Sequence, residues 1–166
     1  MSEVWLNYAV FIVELLLLFL IRAYYEKRLA DAPRILLLGA LSGIVPGLLC
    51  DLIFGKYLGI GFYTLGFGLP FLMLNAVLGY GLFAANILLL QRARFLNFCI
   101  WIGVITAVFE ITNLYFPVWT YAFAVPSFEY WLIAFGGPLE LAIVIAISWH
   151  VLLRYRFFFI DNLRKK

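Results

Sequence analysis

Carboxylic acids set inside apolar runs are the residues of this chain with chemistry to offer. Asp51 lies three residues before the end of one such run, and Glu110 lies five before the end of another. A third acid, Glu140, sits well inside a later run, just after Gly136-Gly137-Pro138. An ionised group in hydrocarbon costs on the order of 3 kcal/mol or more unless it is paired or faces a cavity, so such residues mark functional sites by default. Carboxyl groups in this setting can give and take protons. Aromatic loops follow the first two acids, Gly59-Ile60-Gly61-Phe62-Tyr63 and Phe116-Pro117-Val118-Trp119-Thr120-Tyr121. Ring faces attract positive charge by about 0.5–2 kcal/mol each. Proton transfer beside aromatic rings, away from bulk water, is the chemistry these residue types support.

The elements that must position these groups are membrane spans. Of the 166 residues, 66% are hydrophobic and only 13% are charged, with a mean hydropathy of +1.05. A soluble domain of this size does not carry so much apolar surface. The expected fold is an all-α integral membrane helical bundle of about five transmembrane helices, over Val4–Ile21, Ile35–Phe54, Pro70–Leu90, Phe95–Tyr115 and Tyr130–Leu153. Each run is long enough to cross the hydrocarbon. Ser2-Glu3-Val4-Trp5 precedes the first run instead of a basic segment, and no small-residue cleavage site follows it. That run is read as a retained span.

Basic residues set the expected orientation. Arg22, Lys27, Arg28 and Arg34 lie between the first two spans, Arg92 and Arg94 between the third and fourth, and Arg154, Arg156, Arg164, Lys165 and Lys166 after the fifth. Lys56 alone falls on the other side. The positive-inside rule then places the N-terminus outside and the C-terminus in the cytoplasm of a cell inner or plasma membrane. The net charge of +3 reads as topology and contact with anionic lipid. No basic face with interleaved stacking residues exists on a soluble element, so no nucleic acid partner is expected.

The outer loops, residues 55–69 and 116–129, are rich in Gly, Pro and aromatics and almost uncharged. They are expected to fold back as a lid or re-entrant cap, or to form an aromatic belt at headgroup depth. The stretch 35–90 also resembles 95–153. Each runs outward, carries a late acid, passes an aromatic loop and returns in a helix opened by Pro or Gly-Pro. Asp51 to Tyr63 is twelve residues and Glu110 to Tyr121 is eleven. This is a candidate two-fold internal repeat about an axis along the membrane normal. At about 1.5 Å per residue, both acids stand roughly 20–25 Å above the inner boundary, with Glu140 and Glu14 nearer the midplane.

Glu110, Asn113, Trp119-Thr120-Tyr121 and Pro138-Leu139-Glu140 together resemble the membrane lycopene cyclase domain of carotenoid-modifying integral membrane proteins. Members carry an acid–Asn pair, a Trp-x-Tyr about ten residues on and a later Pro-x-Glu-Glu. Residues 110–140 carry the resemblance, 51–70 carry it weakly, and the rest only by hydropathy. Here the Asn is three residues from the acid, and Leu141 stands where the family has its second Glu. The resemblance implies an isomerase that cyclises or hydrates a polyene by protonating a double bond. Burial in hydrocarbon favours the neutral acid, so Glu110 or Glu140 is expected to hold the proton. Trp119, Tyr121, Phe116, Phe123 and Tyr63 are expected to line the substrate and stabilise the carbocation. Asp51 is expected to take the final proton, and water held by Asn113 would give a hydratase instead.

Plainer roles compete for each residue. Glu110 could bond Asn113, Asp51 could pair with Lys56, and Glu140 could satisfy amides freed by a Gly-Gly-Pro helix break. Glu14 shares a helix with Asn7 and Tyr8 and reads as a packing contact, while Asn75 and Asn86 read as interhelical glue. His150 is the only histidine, so no metal site is expected. No Gly-rich nucleotide fingerprint is present, and no cofactor is expected. Cys50 and Cys99 fall at opposite ends of their spans, too far apart for a disulfide. Gly59, Gly61, Gly66, Gly68 and Gly79 suggest close helix approach or a flexible outer loop.

The leading expectation is therefore an isoprenoid- or carotenoid-modifying membrane enzyme acting on a membrane lipid or polyene. The alternatives are a non-catalytic membrane subunit or assembly factor of a larger complex, and a small substrate-binding component of a transporter. A bundle this small is expected to work as a homo- or hetero-oligomer with another membrane subunit.

Overall fold

Long apolar segments leave the backbone one way to satisfy its own polar groups in lipid, which is the helix. The computed structural model describes residues 2–63, 68–90, 95–122 and 127–164, and it is an all-α bundle. The first span is α1 (Ser2–Tyr25). A single 3₁₀ turn, Leu29–Asp31, leads into α2 (Ala32–Cys50). The helix does not stop there: it widens into a π-helical turn over Asp51–Tyr57, where the Leu58 amide donates to the Ile53 carbonyl at 2.8 Å. The third span is α3 (Leu69–Val77) followed by α4 (Gly79–Leu89). Pro70 sits in the first turn of α3, where its missing N–H leaves nothing unpaired. The fourth span is α5 (Phe95–Tyr115) and the last helix is α6 (Phe128–Arg164). Five of these helical stretches are long and apolar enough to cross a membrane, and they coincide with the spans expected from hydropathy.

The sequence reading needs correcting in three places. Gly136-Gly137-Pro138 does not open or break a helix, because α6 starts at Phe128 and runs through Pro138. A proline costs a helix one N–H bond, and a span that has no water to turn to keeps the remaining ones. The second span ends at Tyr57, so its outer loop starts later than residue 55. Close helix approach uses Gly39, Gly43, Gly47 and Gly81, and within the 59–79 cluster Gly79, where a methyl group would crowd the Asn75 side chain and lie 3.6 Å from the Phe11 ring. The first three form a stripe at four-residue spacing on α2, where a methyl group at Gly43 would lie 2.5 Å from the Tyr80 carbonyl oxygen, and one at Gly81 would lie 2.8 Å from the Ala40 Cα. Small residues let backbones touch where lipid gives helices no hydrophobic reason to associate, and this seam clamps α2 onto α4.

The third span is the centre of the bundle, with 67% of its apolar window buried. On one side Phe19, Ala23 and Ile35 pack against Ala85 and Leu88. On the other, Leu15, Ile87, Ile102, Ile105 and Ile145 join α1, α4, α5 and α6. At the end of the bundle where α1 turns into α2, Arg22 pairs with Glu26 and lies over the Trp101 ring, 5.2 Å from its centroid.

The segments that follow the second and fourth spans pair with each other. β1 (Gly61–Tyr63) and β2 (Trp119–Tyr121) form an antiparallel ribbon in the register Gly61↔Tyr121, Phe62↔Thr120, Tyr63↔Trp119. Both strands lie in the loops that composition marks as a lid or belt. It couples the aromatic loop that follows Asp51 to the one that follows Glu110.

Candidate functional site

Beneath the ribbon lies a cavity of about 670 Å³. Asp51, Glu110 and Glu140 all line it, and so do Trp119 and Tyr121. Acids carried by α5, α6 and the π turn thus open onto one space. Its other walls are apolar, with Phe11, Leu15, Phe83 and Phe109 among them. Gly136 and Gly137 also face it, and a methyl group on either would meet nothing within 4 Å. The paired glycines keep the α6 wall bare and the cavity wide.

The cavity is open at the side. Leu49 and Ile53 on one edge, and Leu132, Glu140 and Val144 on the other, line it while remaining exposed. This rim lies between the second and last spans. Glu140 therefore stands at the mouth, whereas Asp51 and Glu110 are 4% and 6% exposed.

Glu110 is held by two tyrosines. The Tyr121 hydroxyl donates to Oε1 at 2.7 Å, and the Tyr130 hydroxyl donates to Oε2 at 2.7 Å. The Trp119 indole N–H in turn donates to the Tyr121 oxygen at 3.1 Å. Burial holds the Tyr121 hydroxyl above the usual phenol range, and the neighbouring Glu110 charge pushes it further the same way. The two rings meet edge to face, 5.3 Å apart. Trp119 packs in the same manner on Phe11, at 5.2 Å.

Asp51 has a comparable setting. The Tyr80 hydroxyl donates to Oδ1 at 2.6 Å, and the Asn75 amide donates to Oδ2 at 3.3 Å. Tyr8 donates to Oδ1 of Asn75 at 3.3 Å. Asp51 is thus tied to α3 and α4, and Lys56 is exposed. This replaces the surface pairing considered from sequence.

Asn113 lies outside the cavity lining. Its side-chain oxygen accepts from the Val118 and Trp119 amides at 2.8 and 3.1 Å, and its amide donates to the Trp119 carbonyl at 2.9 Å. These bonds set the turn that delivers Trp119 and Tyr121, so Asn113 acts on the loop backbone and makes no bond to Glu110. Phe116 is 41% exposed and does not line the cavity. Phe123 and the side chains of Tyr63 and His150 lie outside the described residues. Glu14 accepts from Thr112 at 2.6 Å, and Asn86 donates across to the Leu15 carbonyl at 3.4 Å. Both join neighbouring helices, as packing contacts would. Among the described residues no group of acids, cysteines or histidines is arranged to hold a metal ion, and both cysteines are free.

Sequence reasoning missed Tyr8, Tyr80, Tyr130 and Thr106. Tyr80 carried a readable signal, because a phenol within a span must find a partner for its hydroxyl. Thr106 lines the cavity one turn from Glu110, with its hydroxyl buried and unpartnered among the described residues, a polar spot on an apolar wall. The chain matches no protein-family model, no curated protein and no solved structure.

Proposed function

We propose that this protein is an integral membrane enzyme that rearranges an isoprenoid or polyene drawn from the bilayer, by proton-initiated cyclisation or hydration. One observation carries the reading: acids from separate spans share a single apolar, aromatic-walled cavity that opens at its side between the second and last spans. A ligand pocket of this size suits an apolar chain with a few polar groups fixing its position. In cyclisation, a carboxylic acid adds its proton to one carbon of a double bond and leaves a carbocation. A second double bond closes onto that cation and forms a ring bond. A neighbouring C–H bond then breaks and its proton passes to a carboxylate. The sum is an isomerisation that needs no oxidant, reductant or metal. In hydration, water takes the place of the second double bond and loses its proton to a carboxylate. The basic inner loops support an outside N-terminus and a cytoplasmic C-terminus, and the small bundle supports an oligomeric enzyme.

Expression in a lycopene-accumulating bacterial strain, followed by pigment chromatography, tests the reading. A cyclic or hydrated product that disappears in Glu110→Gln or Glu140→Gln is expected. A second reading, a non-catalytic membrane subunit, is favoured by the tyrosine pair on Glu110, which joins α5 to the ribbon and to α6 as a structural clasp would. Unchanged lycopene beside well-expressed protein and a co-purifying membrane protein would support that reading instead.

A further inference from the structure

We propose that Glu110 is a fixed anion that receives positive charge within the cavity, so that the site prefers a lipid-soluble organic cation to its neutral isostere. This rests on the cavity assigned above and deepens that reading, because a cation on a hydrocarbon chain is what proton-initiated chemistry creates.

The direction of the hydrogen bonds carries the argument. An indole N–H can only donate. Trp119 therefore makes the Tyr121 oxygen an acceptor, and the Tyr121 hydrogen points to Oε1 of Glu110. Tyr130 is 4% exposed, and Glu110 Oε2 is the acceptor of its hydroxyl among the described residues. The carboxylate form uses both donors. Protonating Oε2 would reverse the Tyr130 bond and strand a buried hydroxyl hydrogen. Hydrogen bonds to a charged acceptor are the stronger kind, so the surroundings suit the anion.

Among the described residues no ion pair answers that charge. The ion pairs among the described residues, Arg22–Glu26 and Arg28–Asp31, both lie at the end of the bundle where α1 turns into α2. A buried anion without a partner is costly, and it attracts any positive centre that enters. The walls add to this, since Trp119, Tyr121, Phe109 and Phe11 line the same space and aromatic rings attract positive charge. With each oxygen already holding a hydroxyl hydrogen, the carboxylate is a poor nucleophile. It stabilises a carbocation without capturing it as an ester. Proton donation then falls to another acid of the cavity.

The test uses the whole protein in nanodiscs of zwitterionic lipid. Two probes are titrated calorimetrically: a long-chain isoprenyl trimethylammonium, and its isostere with carbon in place of nitrogen. The expected result is at least tenfold tighter binding of the ammonium. That preference should vanish in Glu110→Gln while the neutral probe binds as before, and it should survive in Glu140→Gln. Equal binding of the two probes overturns the proposal, and so does a preference that survives Glu110→Gln or is lost with Glu140→Gln alone. If Glu110→Gln does not fold, Tyr130→Phe takes its place, and an unchanged preference in that variant counts against the proposal. Ammonium preference without any pigment conversion would sink the enzymatic reading and leave the anion site standing. Conversion without ammonium preference would do the reverse.

Discussion

The Tyr121 hydroxyl stands 2.7 Å from Oε1 of Glu110 and so ties the two-stranded ribbon to the fourth span. A loop residue thereby completes the setting of a membrane-buried acid, and the order of the ribbon and the state of the acid become one problem. Tyr130 makes the matching bond from α6. Ribbon, α5 and α6 converge on a single side chain.

Removing either hydroxyl should loosen all three. Tyr121→Phe takes one hydrogen bond from Glu110 and also leaves the Trp119 indole without its acceptor. Bonds to charged groups are worth about 1.5–3 kcal/mol, although partners available in the membrane-embedded unfolded state reduce this. Tyr121→Phe and Tyr130→Phe should each lower the midpoint of thermal unfolding in detergent. The double variant should depart from the sum of the two, because they share Glu110. Strict additivity would mean that the tyrosines do not act through the same carboxylate.

The same clamp should fail in alkali. The Tyr121 hydroxyl is raised in the folded protein, first by burial and then by Glu110. A group whose folded value lies above its unfolded value of about 10 stabilises fully below that pH, and its contribution is lost as pH rises from there towards the folded value. Near neutrality this hydroxyl should therefore give stability no pH dependence, and stability should fall above about pH 10. Tyr121→Phe should flatten part of that decline, as followed by unfolding midpoints across the alkaline range.

The seam between α2 and α4 makes a sharper prediction. A side chain at Gly43 would meet the Tyr80 carbonyl oxygen at 2.5 Å, and backbone cannot move aside as a flexible side chain can. Gly43→Leu should abolish folded protein, and Gly43→Ala should cost about 1–3 kcal/mol through overpacking. Gly103 in α5 has nothing within 4 Å of an added methyl group. There Gly103→Ala should stabilise by up to about 1 kcal/mol, through helix propensity alone. Expression level and thermal midpoint of the variants decide the matter, and equal behaviour at both sites would refute the seam.

The spans and the two buried acids were readable from the chain because each breaks an expectation that lipid imposes. A run of apolar residues has to be a helix, and an Asp or Glu inside it has to be compensated. Their partners were harder to see. Tyr80 and Tyr130 count as apolar in a hydropathy pattern, and only the fold brings them to Asp51 and Glu110. The ribbon was hidden for a related reason. Its pairing joins residues about sixty positions apart, and three-residue strands leave no period of their own. Glycines were legible as close contacts, but composition could not say which. Gly39, Gly43 and Gly47 share one helix face at four-residue spacing, whereas the denser group from Gly59 to Gly68 falls around the outer loop. Pro138 misled because a proline reads as a break, while a span with no solvent to turn to keeps its remaining bonds.

Filling the cavity should separate binding from stability. Gly136 faces the space, and a methyl group there touches nothing within 4 Å. Gly136→Phe should leave the unfolding midpoint near that of the wild type and weaken binding of an apolar chain at least tenfold. A ring in that place occupies volume that a ligand needs. Unaltered binding would show that the ligand site lies elsewhere.

The route of entry can be tested by locking the ribbon. Phe62 and Thr120 are Cα partners at the middle of the ladder, and partners in an antiparallel pair lie about 4.5–5.5 Å apart, within reach of a disulfide. Replacing both by cysteine and oxidising should close the ribbon end of the cavity without touching its side. Leu49, Ile53, Leu132 and Val144 would still border the side opening between the second and last spans. If ligands enter from the bilayer, the oxidised and reduced forms should take up a membrane-dissolved polyene at the same rate. If they enter from the aqueous side, oxidation should slow uptake many-fold, and the ribbon would then be the gate. The native Cys50 and Cys99 would first be changed to Ser, with Cys50→Ser checked separately because Cys50 lines the cavity. Equal uptake rates would place the entrance between the second and last spans, beside Glu140.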